Sequence, residues 1–335
     1  MSDQRERGVS IVNFEPESRG RWKARKVTIV GAGHVGATFA YSLAQSGIAD
    51  EIALVDLNKE LLQGQVLDLG HGRFFFPSVS IYAGDVTDYA DSQAIVITAG
   101  SNQKPGETRL DLLQRNAAIL RGIMDDITGQ DSNAAVLVVT NPVDVLTYVA
   151  HQQSGWARGR VFGSGTVLDS ARLRYMLAQH CNIDVHNVHA YILGEHGDSE
   201  FVAWSMTHLA GVSIDQFCPV CGQCGDWEEE RRQIEAFVRD SAYHVIDYKG
   251  ATYYAVGLAL VRIVGAILRN EHSALTVSVP LEGEFGLDSV SLSVPCIVSQ
   301  DGIQRIMETK LSAEEMKSLH RSAAILKDAI AHLEK

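Results

Sequence analysis

Gly31-Ala32-Gly33-His34-Val35-Gly36 is the first stretch of this 335-residue chain whose spacing could do chemistry. It follows the β-rich run Lys26-Val27-Thr28-Ile29-Val30 and opens an apolar segment, Ala37 to Gln45, with helical spacing. In that setting Gly31 permits a tight turn, Gly33 lets backbone approach a pyrophosphate, and Gly36 lets helix and strand pack closely. The helix N-terminus adds N–H groups and the positive end of its dipole. Asp56 closes the next β-rich run, 20 residues beyond Gly36. A carboxylate there accepts from an adenosine 2′-hydroxyl and repels a 2′-phosphate, which favours NAD over NADP. A glycine-rich turn beside an unrelated surface Asp is the bland alternative, and the strand–turn–helix context weighs against it.

Three more polar stretches interrupt apolar surroundings. Thr140-Asn141-Pro142-Val143-Asp144 ends a β-rich run, and Gly194-Glu195-His196-Gly197-Asp198-Ser199 forms a turn after Tyr191-Ile192-Leu193. Gly163 to Arg172 opens a helix on which Asp169 and Arg172, three apart, share a face. Imidazole is the side chain suited to taking and returning a proton near neutral pH. Taken singly, a His in a Gly-flanked turn or an Asp at a helix start has an ordinary structural explanation. A fourth stretch, A-G-S-N-Q-K-P-G-E-T-R from Ala99 to Arg109, empties from the buried run Ala94 to Thr98 into a loop with two Gly, one Pro and two cations. It is either a solvated connection or a moving part.

The elements that must carry these residues are legible from periodicity. Apolar strand-like runs (26–30, 51–55, 79–83, 94–98, 135–140, 161–162) alternate with helical stretches up to about residue 164. That alternation predicts a doubly wound, Rossmann-type α/β unit with a parallel sheet covered on both faces. Beyond it, long helical segments (170–181, 228–247, 253–269, 313–333) with strand-like pieces at 274–279 and 290–298 predict a mixed α+β unit. Ser312 and Glu315 have the spacing of a capping box at the start of the last helix. The expected division is an arm over residues 1–25, a dinucleotide-binding domain over 26–164 and a second domain over 165–335. The arm mixes both charge signs and lacks an apolar secretory core, so a cytoplasmic setting is expected. Acidic residues outnumber basic ones 41 to 29, for a formal charge of -12, which argues against nucleic acid as the partner. No apolar run is long enough to span a membrane, and five Cys do not make a disulfide framework.

Placed in order, these motifs resemble the L-lactate/malate dehydrogenase family, and within it the bacterial lactate dehydrogenases that respond to fructose 1,6-bisphosphate. The resemblance runs from about Lys26 to the C-terminal helix. It implies an NAD-dependent enzyme that moves hydride between L-lactate and pyruvate. It casts His196 as the proton-transfer group, Asp169 as its orienting carboxylate, and Arg172 as a two-pronged grip on the substrate carboxylate. Asn141 would bond near the reacting oxygen and beside the cofactor, and Thr252 would be a second substrate-side contact. Gly100 to Thr108 matches the family's mobile loop and Arg109 its polarising cation. Malate dehydrogenases carry Arg at the position of Gln103. A neutral Gln leaves a second substrate carboxylate unpaired at a cost of several kcal/mol, which favours pyruvate over oxaloacetate. Malate or a bulkier 2-hydroxy acid remains the alternative within the class. A non-catalytic NAD-binding protein is the alternative outside it.

The resemblance further implies a homotetramer in which Arg174 and His189 of two subunits cradle the bisphosphate. Cys218-Pro219-Val220-Cys221-Gly222-Gln223-Cys224 stands outside it. Three thiols fall one short of a structural zinc site, for which His208 or Asp226 could supply the fourth ligand. The family carries no metal, so an inert thiol loop is the expectation, with Cys181 and Cys296 as packing residues.

Overall fold

The structure is a computed structural model, and it describes residues 23–101, 106, 108–218, 222 and 225–333. The glycine motif joins β1 (Lys26–Val30) to α1 (His34–Ser46), and β2 (Glu51–Val55), α2 (Lys59–His71) and β3 (Ser80–Ala83) follow. The chain then crosses to β4 (Ala94–Ile97), α3 (Arg109–Thr128), β5 (Ala135–Val138), α4 (Val143–Ser154) and β6 (Val161–Gly163). These six strands lie parallel in the order β3-β2-β1-β4-β5-β6. Strands β1, β4 and β5 are buried along their whole length. Their uninterrupted apolar runs are what a sheet covered on both faces requires. Strand order reverses between β1 and β4, which opens a crevice at their C-terminal ends.

The second half begins with α5 (Val167–Cys181) and continues through five two-residue strands. These are β7 (Val188–His189), β8 (Ile192–Leu193), β9 (Phe201–Val202), β10 (His208–Leu209) and β11 (Val212–Ser213). The remaining elements are α6 (Ile214–Phe217), α7 (Trp227–Lys249), α8 (Tyr254–Leu268), β12 (Ser273–Glu282), β13 (Asp288–Ser299), β14 (Gly302–Ile306) and α9 (Ala313–Leu333). The five short strands are too brief to leave a period in the sequence.

The large sheet does not stop at residue 164. Strands β12, β13 and β14 add to it antiparallel, joined to β6 where Ser278 pairs with Gly163, giving nine strands among the described residues. Helix α8 crosses back to lie on α1, where Gly257 faces Thr38 and Ser42 closely enough that a methyl group would crowd both. One core runs through the large sheet and its helices. A second, smaller one gathers Leu173, Leu177 and Cys181 of α5 against Ile234 and Val238 of α7, with Trp204 and Cys218. The capping box at α9 forms, with Glu315 N–H on Ser312 Oγ at 3.2 Å and Ser312 N–H on Glu315 Oε2 at 2.7 Å. The Glu315 carboxylate also accepts from Ser205 N–H and Oγ–H, tying α9 to the turn after β9. Among the described residues, no helix is long and apolar enough to cross a membrane.

Candidate functional site

The crevice between β1 and β4 is lined by the glycine turn on one side and Ala99 to Ser101 on the other. Gly31 has φ +105°, and a Cβ there would lie 2.7 Å from the Ala99 nitrogen. A Cβ on Gly36 would collide with the Gly31 carbonyl, whereas one on Gly33 would meet nothing within 4 Å. Gly36 therefore closes helix onto strand, while Gly33 leaves backbone open to an incoming phosphate. Asp56 accepts from Ala32 N–H at 2.7 Å and Asn58 N–H at 2.8 Å, which locks the carboxylate onto the glycine turn. Its remaining lone pairs can accept from a ribose hydroxyl. An open backbone cradle at a helix N-terminus, with a fixed carboxylate beyond it, fits the pyrophosphate and the adenosine ribose of NAD.

The polar stretches converge on the helix starts. Asp169 is buried in the first turn of α5, and its Oδ2 lies 2.6 Å from His196 Nδ1. Arg172 donates from Nη1 to Asp169 Oδ1 at 2.7 Å. Nε and Nη2 remain as a side-on pair of donors for a planar carboxylate. The His196 turn is held at its backbone by Asp144, buried near the start of α4, whose Oδ2 accepts the His196 N–H at 2.7 Å. Asn141, Arg172, His196 and Thr252 line one cavity of about 180 Å3, floored by Val35, Val139 and Leu168.

Charge in this cavity is unevenly shared. Burial works against the imidazolium of His196, yet the neighbouring Asp169, with help from Asp144 and Glu200, raises its pKa to about 9. Asp169 is pushed up by burial and pulled down harder by His196 and Arg172, so it stays below the usual carboxylate range. Burial drives Asp144 up to about 6, opposed by the Ser278 hydroxyl and the His196 N–H. Glu200, also buried, is pushed up to about 8 by burial and by the charge of Asp169. Burial and the nearby anion thus hold Glu200 toward its neutral form, and where it does ionise it adds to the field that favours the imidazolium of His196. Neither the support role of Asp144 nor the presence of Glu200 is readable from the sequence. The first stands in a quoted motif with no signal of its direction, and the second is one glutamate among many.

Not every candidate is gathered there. Arg109 begins α3 and is exposed, behind a capping box in which Thr108 and Asp111 exchange hydrogen bonds. It does not line the cavity that holds His196 and Arg172. Gln103 lies outside the described residues. The base of the loop is anchored by buried Asn116, whose Oδ1 accepts Ser101 N–H at 2.8 Å while its Nδ2 reaches the Asn141 carbonyl at 3.3 Å. One side chain thus ties the loop to the strand end that carries Asn141. Arg174 donates from Nε to the Ala190 carbonyl at 3.0 Å, beside exposed His189 on β7.

The two side chains considered as a fourth ligand for the cysteine loop are engaged elsewhere. His208 pairs across the strands with His189 and sets Nδ1 3.2 Å from the Met206 carbonyl. Asp226 caps α7 through Glu228 N–H and Glu229 N–H. Cys296 is a packing residue in β13 with its thiol on the Val294 carbonyl. Cys181 is buried too, in the second core and beside Cys218.

A sequence profile described as lactate/malate dehydrogenase, NAD binding domain, matches residues 25–163. The companion profile, lactate/malate dehydrogenase, alpha/beta C-terminal domain, matches residues 166–335. An L-lactate dehydrogenase of Treponema denticola is 58% identical over 312 residues, covering 93% of this chain and 99% of its own. One from Thermoanaerobacter sp. is 52% identical over 309 residues, covering 92% of this chain and 99% of its own. Among solved structures, a lactate dehydrogenase from a Medee basin deep-sea metagenome library superposes with a TM-score of 0.91 at 43% identity, covering 94% of this chain and 100% of its own. A minor L-lactate dehydrogenase from Enterococcus mundtii, solved with ligands bound, gives 0.89 at 40% identity, covering 92% and 98%.

Proposed function

This chain belongs to the lactate/malate dehydrogenase family, its NAD-dependent activity is that of an L-lactate dehydrogenase, and we propose how its side chains divide the work. The glycine turn and Asp56 would hold NAD+, which would supply the acceptor for the hydride on C2 of the hydroxy acid. His196 takes the hydroxyl proton on Nε2 and returns it when pyruvate is reduced. Asp169 fixes the ring tautomer through Nδ1 and stabilises the imidazolium. Arg172 grips the substrate carboxylate, Asn141 bonds near the reacting oxygen, and Thr252 closes the substrate side. Arg109 enters with the loop and polarises the carbonyl in a pocket from which water has been excluded, where a charge acts far more strongly than in solvent. The observation that carries this reading is the 2.6 Å contact of His196 with Asp169 in the same cavity as Arg172. NADH oxidation followed in parallel with pyruvate and oxaloacetate tests it, with pyruvate strongly preferred as the expected result.

Gln103 is proposed to set that preference, since it offers no charge to a second carboxylate. Gln103→Arg is expected to raise the oxaloacetate-to-pyruvate ratio of kcat/KM by about 100-fold or more. An unchanged or lower ratio would count against the assignment.

Fructose 1,6-bisphosphate is the proposed effector, bound by Arg174 and His189 of two subunits in a homotetramer. The neighbourhood of the Arg174 guanidinium and His189, joined through Ala190, supports it. So do the exposed apolar side chains Leu67, Phe74 and Phe75 on and after α2, with Tyr248, Tyr254 and Leu258 on α7 and α8. Surfaces of that kind are covered in assemblies. Titrating the bisphosphate at subsaturating pyruvate is expected to lower the apparent KM, with sedimentation reporting a shift to tetramer. A flat response at several pH values would sink the proposal. A cytoplasmic setting, where these metabolites are at hand, completes the reading.

A further inference from the structure

The last turn of α5 and the residue after α6 bring together three side chains that the dehydrogenase chemistry does not use. His180, Cys181 and Cys218 each offer a ligand atom, and these atoms all lie within 4.8 Å of one another. Two sulfurs bound to one tetrahedral zinc stand roughly 3.8 Å apart, given Zn–S bonds of about 2.3 Å. The observed spacing therefore needs a closure of at most about an ångström, within reach of side-chain rotation. We propose that His180, Cys181 and Cys218 hold a borderline-soft divalent cation of the zinc class, pinning the end of α5 to the end of α6.

The donor set decides the class of ion. Two thiols and an imidazole are soft to intermediate ligands, which suit zinc and disfavour calcium or magnesium. Binding releases both thiol protons to solvent, so the dication is neutralised by two thiolates. A neutral assembly suits this place, because Cys181 and Cys218 are buried among Leu177, Ile214, Ile234 and Val238. Glu230 on α7 approaches His180 Nδ1 to 3.8 Å. At that range the carboxylate adds negative charge near the imidazole that favours a bound dication. The fourth position falls to water. Cys221 and Cys224 lie outside the described residues and form no part of the site.

The site sits at the far end of the helix whose first two turns carry Asp169 and Arg172. It touches none of the groups assigned to the reaction, so its metal is expected to act on stability and not on turnover. The test is metal analysis of the full-length, tag-free chain grown with zinc and dialysed against a weak chelator. About one zinc per chain is expected, falling below about a tenth in Cys218→Ser and in His180→Asn, and unchanged in Cys296→Ala. Cobalt(II) in place of zinc is expected to give an intense thiolate charge-transfer band in the near ultraviolet. This readout needs only the unsubstituted chain and so guards against a variant that fails to fold. Removing zinc with a strong chelator is expected to lower Tm by about 3 °C or more, with kcat/KM at moderate temperature unchanged. A zinc content below about a fifth per chain, or a mass lower by about two daltons from a Cys181–Cys218 disulfide, overturns the proposal. Zinc that survives either ligand substitution removes that residue from the site.

Discussion

Replacing His196 with glutamine is expected to lower kcat for pyruvate reduction by about 10²- to 10⁴-fold, the usual contribution of one positioned acid–base group. Glutamine can still donate an N–H toward Asp169 Oδ2, so the buried carboxylate keeps Arg172 and a second polar neighbour. What it cannot do is hand a proton to the nascent alkoxide. NADH affinity, set by the glycine turn and Asp56 on the other side of the crevice, should be unchanged in a fluorescence titration. Activity within tenfold of the unsubstituted enzyme would remove His196 from the proton path.

Asp169→Asn is expected to move a pH limb as well as a rate. Pyruvate reduction needs the imidazolium, so its kcat/KM holds while His196 is protonated and falls as pH rises through about 9. Lactate oxidation needs the neutral ring and rises over the same interval. Neutralising Asp169 removes the nearest anion and leaves burial, which opposes the imidazolium. Asp144 still favours it, more weakly. The limb should therefore fall toward the ordinary imidazole value near about 6.5, and pyruvate reduction at pH 7.5 should drop further than the lost orientation alone would cause. A limb that stays where the unsubstituted enzyme has it would show that Asp169 does not control the protonation of His196.

Much of the fold is legible in one dimension because burial leaves a period. The Rossmann-type strands appear as continuous apolar runs, and α9 appears between Ala313 and Leu333 with its capping box intact. Its helical moment and its cap are properties of residues three or four apart, which sequence reports directly. The same locality makes the glycine turn readable. Gly31, Gly33 and Gly36 act through backbone clearance within a single strand–turn–helix unit. Asp169 and Arg172 likewise share a helical face by spacing alone.

What depends on distant neighbours is not legible in this way. The extension of the sheet through β12, β13 and β14 is set by which edge is free to pair, and no local pattern marks the edge of β6. Asn116 reads as one polar residue on a helix, and only its approach to Ser101 and Asn141 makes it the anchor of the loop. Asp144 and Glu200 owe their raised pKa values to burial by segments far along the chain. The cysteine loop shows the division most sharply. By itself the sequence determined that three thiols lie at chelating intervals from Cys218, and it pointed to His208 or Asp226 as the missing ligand. Only the tertiary structure placed His180 and Cys181, more than thirty residues away, beside Cys218 and committed the other two to a strand pair and a helix cap. Spacing along the chain reports what one element can present, whereas a ligand set is completed by whichever element packs against it.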